Sequence, residues 1–265
     1  MRPAATSIAP TPAPESSVRV AAAAQGDVAA ARDLARTLGL ALTQPPYDAA
    51  GLVLEVTSGR LQLRDPRSPR TRPLSAELFP VRIRRQRLPL SKRGPLALAV
   101  GRRSRTVVDA TAGWGADSGL LAAMGYRVVM VERSPLLAVL LSDAVRRVQR
   151  EPGAAGGKLV IPELVQADAV GYLYRVTTRP DCVYMDPMFP PKRNSAALAK
   201  RPLRLLRELV GDDEDAGTLL AAARTAARSR VVVKRPDHAP PLAEDVDLSH
   251  AGKLVRYDVY LAPAR

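Results

Sequence analysis

Asp186-Pro187-Met188-Phe189, directly after the apolar run Cys182, Val183, Tyr184, Met185, is the stretch of this chain best suited to chemistry. A buried strand that ends in an acidic-Pro-apolar-aromatic turn can grip a planar amine at the ligand-binding edge of an α/β sheet. Pro187 stiffens the turn, so the Asp186 carboxylate and nearby backbone carbonyls form a fixed set of acceptors for two N–H protons. An aniline-like nitrogen is a poor nucleophile because its lone pair is delocalised into the ring. Its site must hold it in line with the electrophile and stabilise the positive charge that develops on it. Phe189 can stack on an aromatic base, an interaction of about 1 to 3 kcal/mol. The plainer alternative makes Phe189 a core residue and Asp186 a loop cap.

A second constellation lies upstream. Val107-Val108-Asp109-Ala110-Thr111-Ala112-Gly113-Trp114-Gly115-Ala116-Asp117 reads as a strand, a glycine turn and a helix start. Gly113 and Gly115 allow a tight turn and leave room for a ligand against the backbone. Two glycines alone describe many plain strand-to-helix turns. Here the next strand, Val128-Val129-Met130-Val131, ends in Glu132-Arg133, where an acidic side chain can hold both hydroxyls of a ribose. The strand after it ends near Asp168-Ala169, and Asp168 either accepts from an adenine amino group or caps the following helix. A dinucleotide needs a third small residue and a helix N-terminus aimed at pyrophosphate, a pattern that Gly113-x-Gly115-x-x-Ser118 fits poorly. Asp109 and Asp117 suit a cationic amino group and a sulfonium instead. The acidic decoration points to S-adenosylmethionine, with no metal.

The elements that must position these residues follow from periodicity. From Thr106 onward strand and helix patterns alternate, which predicts a Rossmann-like α/β fold, a mostly parallel sheet with helices on both faces. Strands are expected at 106–110, 127–131, 163–166, 181–185 and 230–234, and helices at 116–124, 135–150, 196–209 and 216–228. Residues 246–249 and 254–261, separated by Gly252, read as an antiparallel pair that closes the sheet. Upstream, residues 17–80 predict a small α/β domain with strands at 18–23 and 40–42, a helix at 27–37, and a hairpin turning at Ser58-Gly59. Residues 1–16, rich in Pro and small residues, read as a loose tail. Residues 81–105 read as a basic connecting segment carrying Arg82, Arg84, Arg85, Arg87, Lys92, Arg93, Arg102, Arg103 and Arg105.

Composition narrows the partners. The chain has 265 residues, 46% of them apolar, enough for a full domain and a smaller one. Its 40 Lys and Arg against 26 Asp and Glu give a net charge of +14, which favours nucleic acid over an anionic membrane. Cys182 is the single cysteine, so no intramolecular disulfide can form, and His238 and His250 are too isolated to suggest a metal. Neither an export signal nor a run of membrane-spanning length is visible. A soluble cytoplasmic protein, monomeric and without a membrane partner, is expected.

The motifs together resemble the bacterial small-subunit rRNA guanine-N2 methyltransferase family called RsmJ. The resemblance rests on Val107 to Gly113, Glu132-Arg133, Tyr184 to Pro190, Leu209-Val210-Gly211, and Arg230 to Leu242, and it covers most of residues 50 to 262. It implies methyl transfer from S-adenosylmethionine to the exocyclic N2 of one guanine, guanine 1516, of 16S rRNA. Carried over by motif, donor contacts fall on Ala116 and Asp117, Glu132 and Arg133, Asp168 and Ala169, and Asp186. The chain departs from the family's pattern at Asp168-Ala169, where two small hydroxyl residues are expected, and at Arg87 to Gly94, which lacks a glycine-rich run.

A base enclosed in RNA structure must be rotated out to be methylated, so the pocket needs a surface that holds the backbone. Lys192, Arg193, Lys200, Arg204 and Arg207 follow the acceptor turn, with Lys200, Arg204 and Arg207 on one helical face if a helix forms despite Pro202. Lys234 and Arg235 end the next strand and are candidates for the same RNA contact. Asp212, Asp213, Glu214 and Asp215 read as a helix start. Trp114 either lines the donor pocket or packs beneath it. Other readings remain: a methyltransferase of the same architecture acting on another amine, or a non-catalytic RNA-binding protein with this fold. A nicotinamide-dependent dehydrogenase fits the glycine turn less well.

Overall fold

The computed structural model describes residues 18–49, 51–84, 86, 88–150, 160–188, 201–211 and 215–262, and the backbone alone at 84, 201 and 203. The tail at 1–16 lies outside the described residues. The chain first builds β1 (Val18–Ala22), α1 (Val28–Leu38), β2 (Ala41–Leu42), β3 (Leu52–Thr57) and β4 (Arg60–Arg64). These strands form a four-stranded sheet in the order β2-β1-β3-β4, in which β1 lies parallel to both its neighbours and β3-β4 is the expected hairpin.

Two short helices follow, α2 (Val81–Arg84) and α3 (Pro95–Val100). High positive charge in 81–105 hid them, because charge count overwhelms the short apolar run Leu96 to Val100. Leu96, Ala97, Ala99 and Val100 are buried, so this segment is part of the core and not only a connection.

A seven-stranded sheet comes next. Its strands are β5 (Thr106–Asp109), β6 (Arg127–Glu132), β7 (Glu163–Gln166), β8 (Cys182–Met185), β9 (Arg230–Pro236), β10 (Leu248–Ala251) and β11 (Val255–Leu261), in the order β10-β11-β9-β8-β5-β6-β7. Five strands run parallel; β11 pairs antiparallel with both β9 and β10. Val-rich runs buried on both faces favour such central parallel strands. Residue alternation divides them between two cores: Val107, Cys182, Tyr184 and Val232 face one, and Val108, Val183, Val231 and Val233 the other. The order reverses between β5 and β8, which opens a crevice at their carboxyl ends.

Helices α4 (Ala116–Ala123), α5 (Pro135–Arg150), α6 (Ala169–Arg175), α7 (Arg201–Val210) and α8 (Ala216–Ala226) complete the layers. With α3, α4 and α5 cover one face, and α6 and α8 cover the other. α7 forms over Arg201–Val210 with Pro202 in it.

One hydrophobic cluster runs from the small sheet through Leu78 and Phe79 to the α4-α5 face of the large sheet. Gly119 makes this junction possible. A Cβ there would fall 1.8 Å from the Leu78 carbonyl oxygen, so no other residue lets α4 and the Leu78 bend touch. Arg147 donates to the Ala76 carbonyl from the same side.

Candidate active site

Glu132 shows how the local sequence builds the carboxyl edge. Its side chain is buried, and the backbone N–H groups of Gly113 (2.9 Å) and Ser134 (2.8 Å) donate to its two oxygens. The end of β6 is thereby tied to the glycine turn after β5. Gly115, at φ +76°, closes that turn; a Cβ there would meet Leu78 and Leu141 at 2.7 Å. Its role is packing against the core, whereas Gly113 lines the cavity, where a Cβ would make only ordinary contact with Leu206 at 3.5 Å. Thr111 ties the next strand in: its Oγ1 accepts from Asp186 N at 2.7 Å.

A single cavity results at the switch point. Gly113, Glu132, Arg133, Asp168, Ala169, Asp186 and Met188 all line it, and Leu137, Val170, Leu206, Val210 and Leu219 add apolar walls. Asp168 caps α6 by accepting from Gly171 N at 2.7 Å, and also faces the cavity. Its two sequence readings are therefore compatible. Arg133 and Asp215 pair across the rim at 3.3 Å. Asp215 stands at the start of α8, as expected, but its side chain makes no capping bond there and pairs with Arg133 instead. Asp212, Asp213 and Glu214 lie outside the described residues.

Four expected donor residues lie away from the cavity lining. Asp109 is 1% exposed beneath the turn, where Thr111 N and Ser118 Oγ donate to it. Burial pushes its carboxyl up to about 7, against the pull of these hydrogen bonds and with the Asp117 and Asp186 charges adding to the rise. It braces the turn from inside and cannot face a ligand directly. Gly115 is packed as described, and Ala116 is exposed at the first position of α4. Asp117 belongs to a neighbouring cluster.

That cluster corrects the expectation for Lys234. Its ammonium lies 2.7 Å from Asp117 Oδ2 and 2.9 Å from Asp186 Oδ2, so it bridges two carboxylates and is not presented to an RNA phosphate. Burial alone would lower its pKa, but the adjacent Asp186 and Asp117 charges outweigh that and hold it above its ordinary value. Tyr184 completes the group by donating its phenol to Asp117 Oδ2 at 2.6 Å. Its own pKa is raised well above the usual range, chiefly by burial, which keeps the proton in place. Sequence reasoning missed Thr111, Tyr184 and Asp215; a polar side chain on an apolar strand was the one available signal for Tyr184.

Arg235 is corrected as well. Successive strand residues point to opposite faces, so Arg235 faces away from Lys234, is 4% exposed, and donates to the Pro240 carbonyl. It anchors the loop after β9. Arg204 is exposed and Arg207 half-buried on α7, while Phe189, Lys192, Arg193 and Lys200 lie outside the described residues. Pro187 is buried. Trp114 packs against the core and donates to the Pro202 carbonyl at 3.0 Å, so it holds α7 and does not line the cavity. A second tie on α7 is the Arg67–Glu208 ion pair at 2.7 Å. Cys182 is fully buried and its thiol pKa is raised by burial, as fits an inert strand residue. Among the described residues no His, Cys, Asp and Glu group is arranged to hold a metal, and no helix is long and apolar enough to cross a membrane.

A ligand crevice at the switch point, with an acid closing β6 and an Asp-Pro turn closing β8, is the arrangement of an S-adenosylmethionine-dependent methyltransferase. Residues 34–262 match the family model described as "Putative SAM-dependent methyltransferase". A crystal structure of a SAM-dependent methyltransferase from Neisseria gonorrhoeae superposes with a TM-score of 0.65 at 28% identity, over 92% of this chain and 96% of that one. Among curated relatives, ribosomal RNA small subunit methyltransferase J of Erwinia tasmaniensis is 41% identical over 80% of this chain and 87% of its own length. The protein of the same name from Nitrosococcus oceani is 39% identical over 88% and 93%. The chain belongs to the ribosomal RNA small subunit methyltransferase J family.

Proposed function

We propose that this protein transfers the methyl group of S-adenosylmethionine to the exocyclic N2 of one guanine in 16S rRNA, guanine 1516 by family resemblance. The observation that carries the reading is the meeting of Glu132, Asp168 and Asp186 in one cavity at the switch point. The lining fits the donor in chemistry: a backbone-anchored acid, an acid at the third strand, and apolar walls against which a purine can pack. A carboxylate offers roughly four acceptor sites, so anchoring the glycine turn and accepting from a ribose are compatible roles for Glu132. Asp168 and Ala169 border the place for the adenine, and Gly113 and Arg133 the rest of the donor.

When bound, S-adenosylmethionine supplies an electrophilic methyl group on a sulfonium. The chain's own residues position the acceptor. Asp186 and the carbonyls of its Pro187 turn accept from the guanine amine, orient its lone pair, and favour the positive charge that develops there. Met188 borders the same space, and Phe189 is placed by sequence to stack on the base. Lys192, Arg193, Lys200, Arg204 and Arg207 would hold the RNA backbone around it. The protein acts in the cytoplasm, as a monomer and without metal.

The test is incubation with labelled donor and unmethylated small-subunit particles, followed by digestion to nucleosides. Label is expected in N2-methylguanosine. Label in another nucleoside would overturn the acceptor assignment, and RNA without label would overturn rRNA as the substrate.

A further inference from the structure

The amino edge of the large sheet, opposite the cavity, gathers arginines. Arg105 immediately precedes β5, and its carbonyl accepts from Arg127 N at the start of β6. Arg228 N donates to the Pro180 carbonyl just before β8, and Ser229 N and Arg230 N to that of Asp181. Arg102, Arg103 and Arg230 line a shallow recess beside them. Arg102, Arg103, Arg105, Arg127 and Arg228 are all exposed.

Their charge is only partly offset locally: the Asp181 carboxylate feels the Arg228 charge, and five guanidiniums outnumber it. Among the described residues none of these five guanidiniums forms an ion pair, whereas Arg67, Arg133, Arg147 and Arg256 each do. The Asp181 carboxylate in their midst is engaged by Arg105 N (2.8 Å), Thr106 N (3.1 Å) and Thr106 Oγ1 (3.1 Å). Asp247, nearby on the β11 side, accepts from Leu261 N. Like charges held together on rigid strand ends repel one another, so the surface stores an attraction for a polyanion. Guanidinium forks match phosphate oxygens in geometry as well as charge.

We infer that this edge is a second RNA-backbone surface, which grips a segment of the small subunit other than the one carrying the target base. The inference rests on the rRNA reading above. β9 runs seven residues from one edge to the other, a span of roughly 20 Å at about 3.3 Å per residue. A base seated in the cavity therefore leaves the arginines facing away from its own strand. Simultaneous contact at both edges selects folded RNA in which two segments lie that far apart, and it disfavours a short fragment.

The test compares the wild type with Arg102→Glu/Arg103→Glu/Arg127→Glu/Arg228→Glu and with the same four changed to Gln. Binding is read without methyl donor, on small-subunit particles and on a short hairpin containing the target guanine, with melting temperature as the check on folding. The Glu variant should bind particles at least about tenfold more weakly at physiological salt, and the log-log salt slope should fall by roughly 2 to 4. The Gln variant should lie between, and hairpin binding should stay within about twofold. Unchanged particle binding by a folded variant overturns the inference, as does equal weakening on hairpin and particle. Unchanged particle binding together with loss of wild-type binding to phosphatidylglycerol vesicles would assign the edge to a membrane instead. Weakened particle binding by the Glu variant, with no methylation by the wild type when donor is added, would count against the functional reading and leave the inferred surface standing.

Discussion

At the carboxyl edge of the large sheet Lys234 sits between Asp117 and Asp186 at 2.7 and 2.9 Å, while at the amino edge five exposed arginines outnumber the nearby Asp181 carboxylate. The same strands thus end in two kinds of electrostatics. Compensated charge, held in fixed geometry and partly buried, orients groups for chemistry. Exposed charge in excess of its counter-charges does not orient anything; it attracts a polyanion from a distance and is screened by salt.

The comparison can be broken most severely at Asp186. Asp186→Ala removes the carboxylate proposed to hold the guanine amine at the end of β8 and should lower kcat/KM by about 100- to 1,000-fold, read as methyl incorporation into particles. Donor titration by calorimetry would separate this from a binding defect. Glu132→Ala should weaken donor binding by at least about tenfold, the loss expected when a charged acceptor in a buried site is removed. Unaltered calorimetric affinity would mean that β6 does not hold the donor.

Lys234→Met tests compensation itself. Without the ammonium, Asp117 and Asp186 face each other across a partly buried space, and like charges there resist joint ionisation. The acid limb of the pH profile of kcat/KM should move to higher pH, with Lys234→Arg restoring much of the original profile. A uniform loss of affinity for RNA without change in the pH profile would return Lys234 to the phosphate-binding role expected from sequence.

A smaller effect is expected from Asp109. Its carboxyl is raised to about 7 in the folded protein by burial, against about 4 in an unfolded chain. Between those values the folded state holds more protons, so stability from this group is complete at low pH and declines as pH rises toward 7. Asp109→Asn should flatten that part of the stability curve, measured by denaturant unfolding at several pH values. Smallest of all, Arg102→Gln alone should change methylation of a short hairpin by less than about twofold, because one exposed charge far from the cavity contributes little.

Much of the architecture was legible in the chain. Strand runs such as Val107-Val108 and Val231-Val232-Val233 are apolar enough to be central strands whatever surrounds them, and the observed elements fall where alternation put them to within a few residues. The cavity-lining set Gly113, Glu132, Arg133, Asp168, Ala169, Asp186 and Met188 was named from sequence because strand-end position is a local property. Helices α2 and α3 escaped notice because a short apolar run inside a basic segment has no periodicity to measure.

What sequence could not give was direction and partnership. Lys234 and Arg235 are adjacent cations at one strand end, equivalent to a reader of the chain, yet strand alternation turns one toward Asp117 and Asp186 and the other toward the Pro240 carbonyl. Asp109 and Asp117 both decorate the glycine turn, and burial by the layers above decides that only Asp117 meets the bridging cation. Arg102, Arg103, Arg127 and Arg228 are dispersed along the sequence and become one surface only because parallel strands all begin at the same edge. Type and spacing specified the strands, the glycine turn and the strand-end acids, since these depend on neighbours in the chain. Ion pairing and surface continuity depend on distances between remote segments, and the tertiary structure alone sets those.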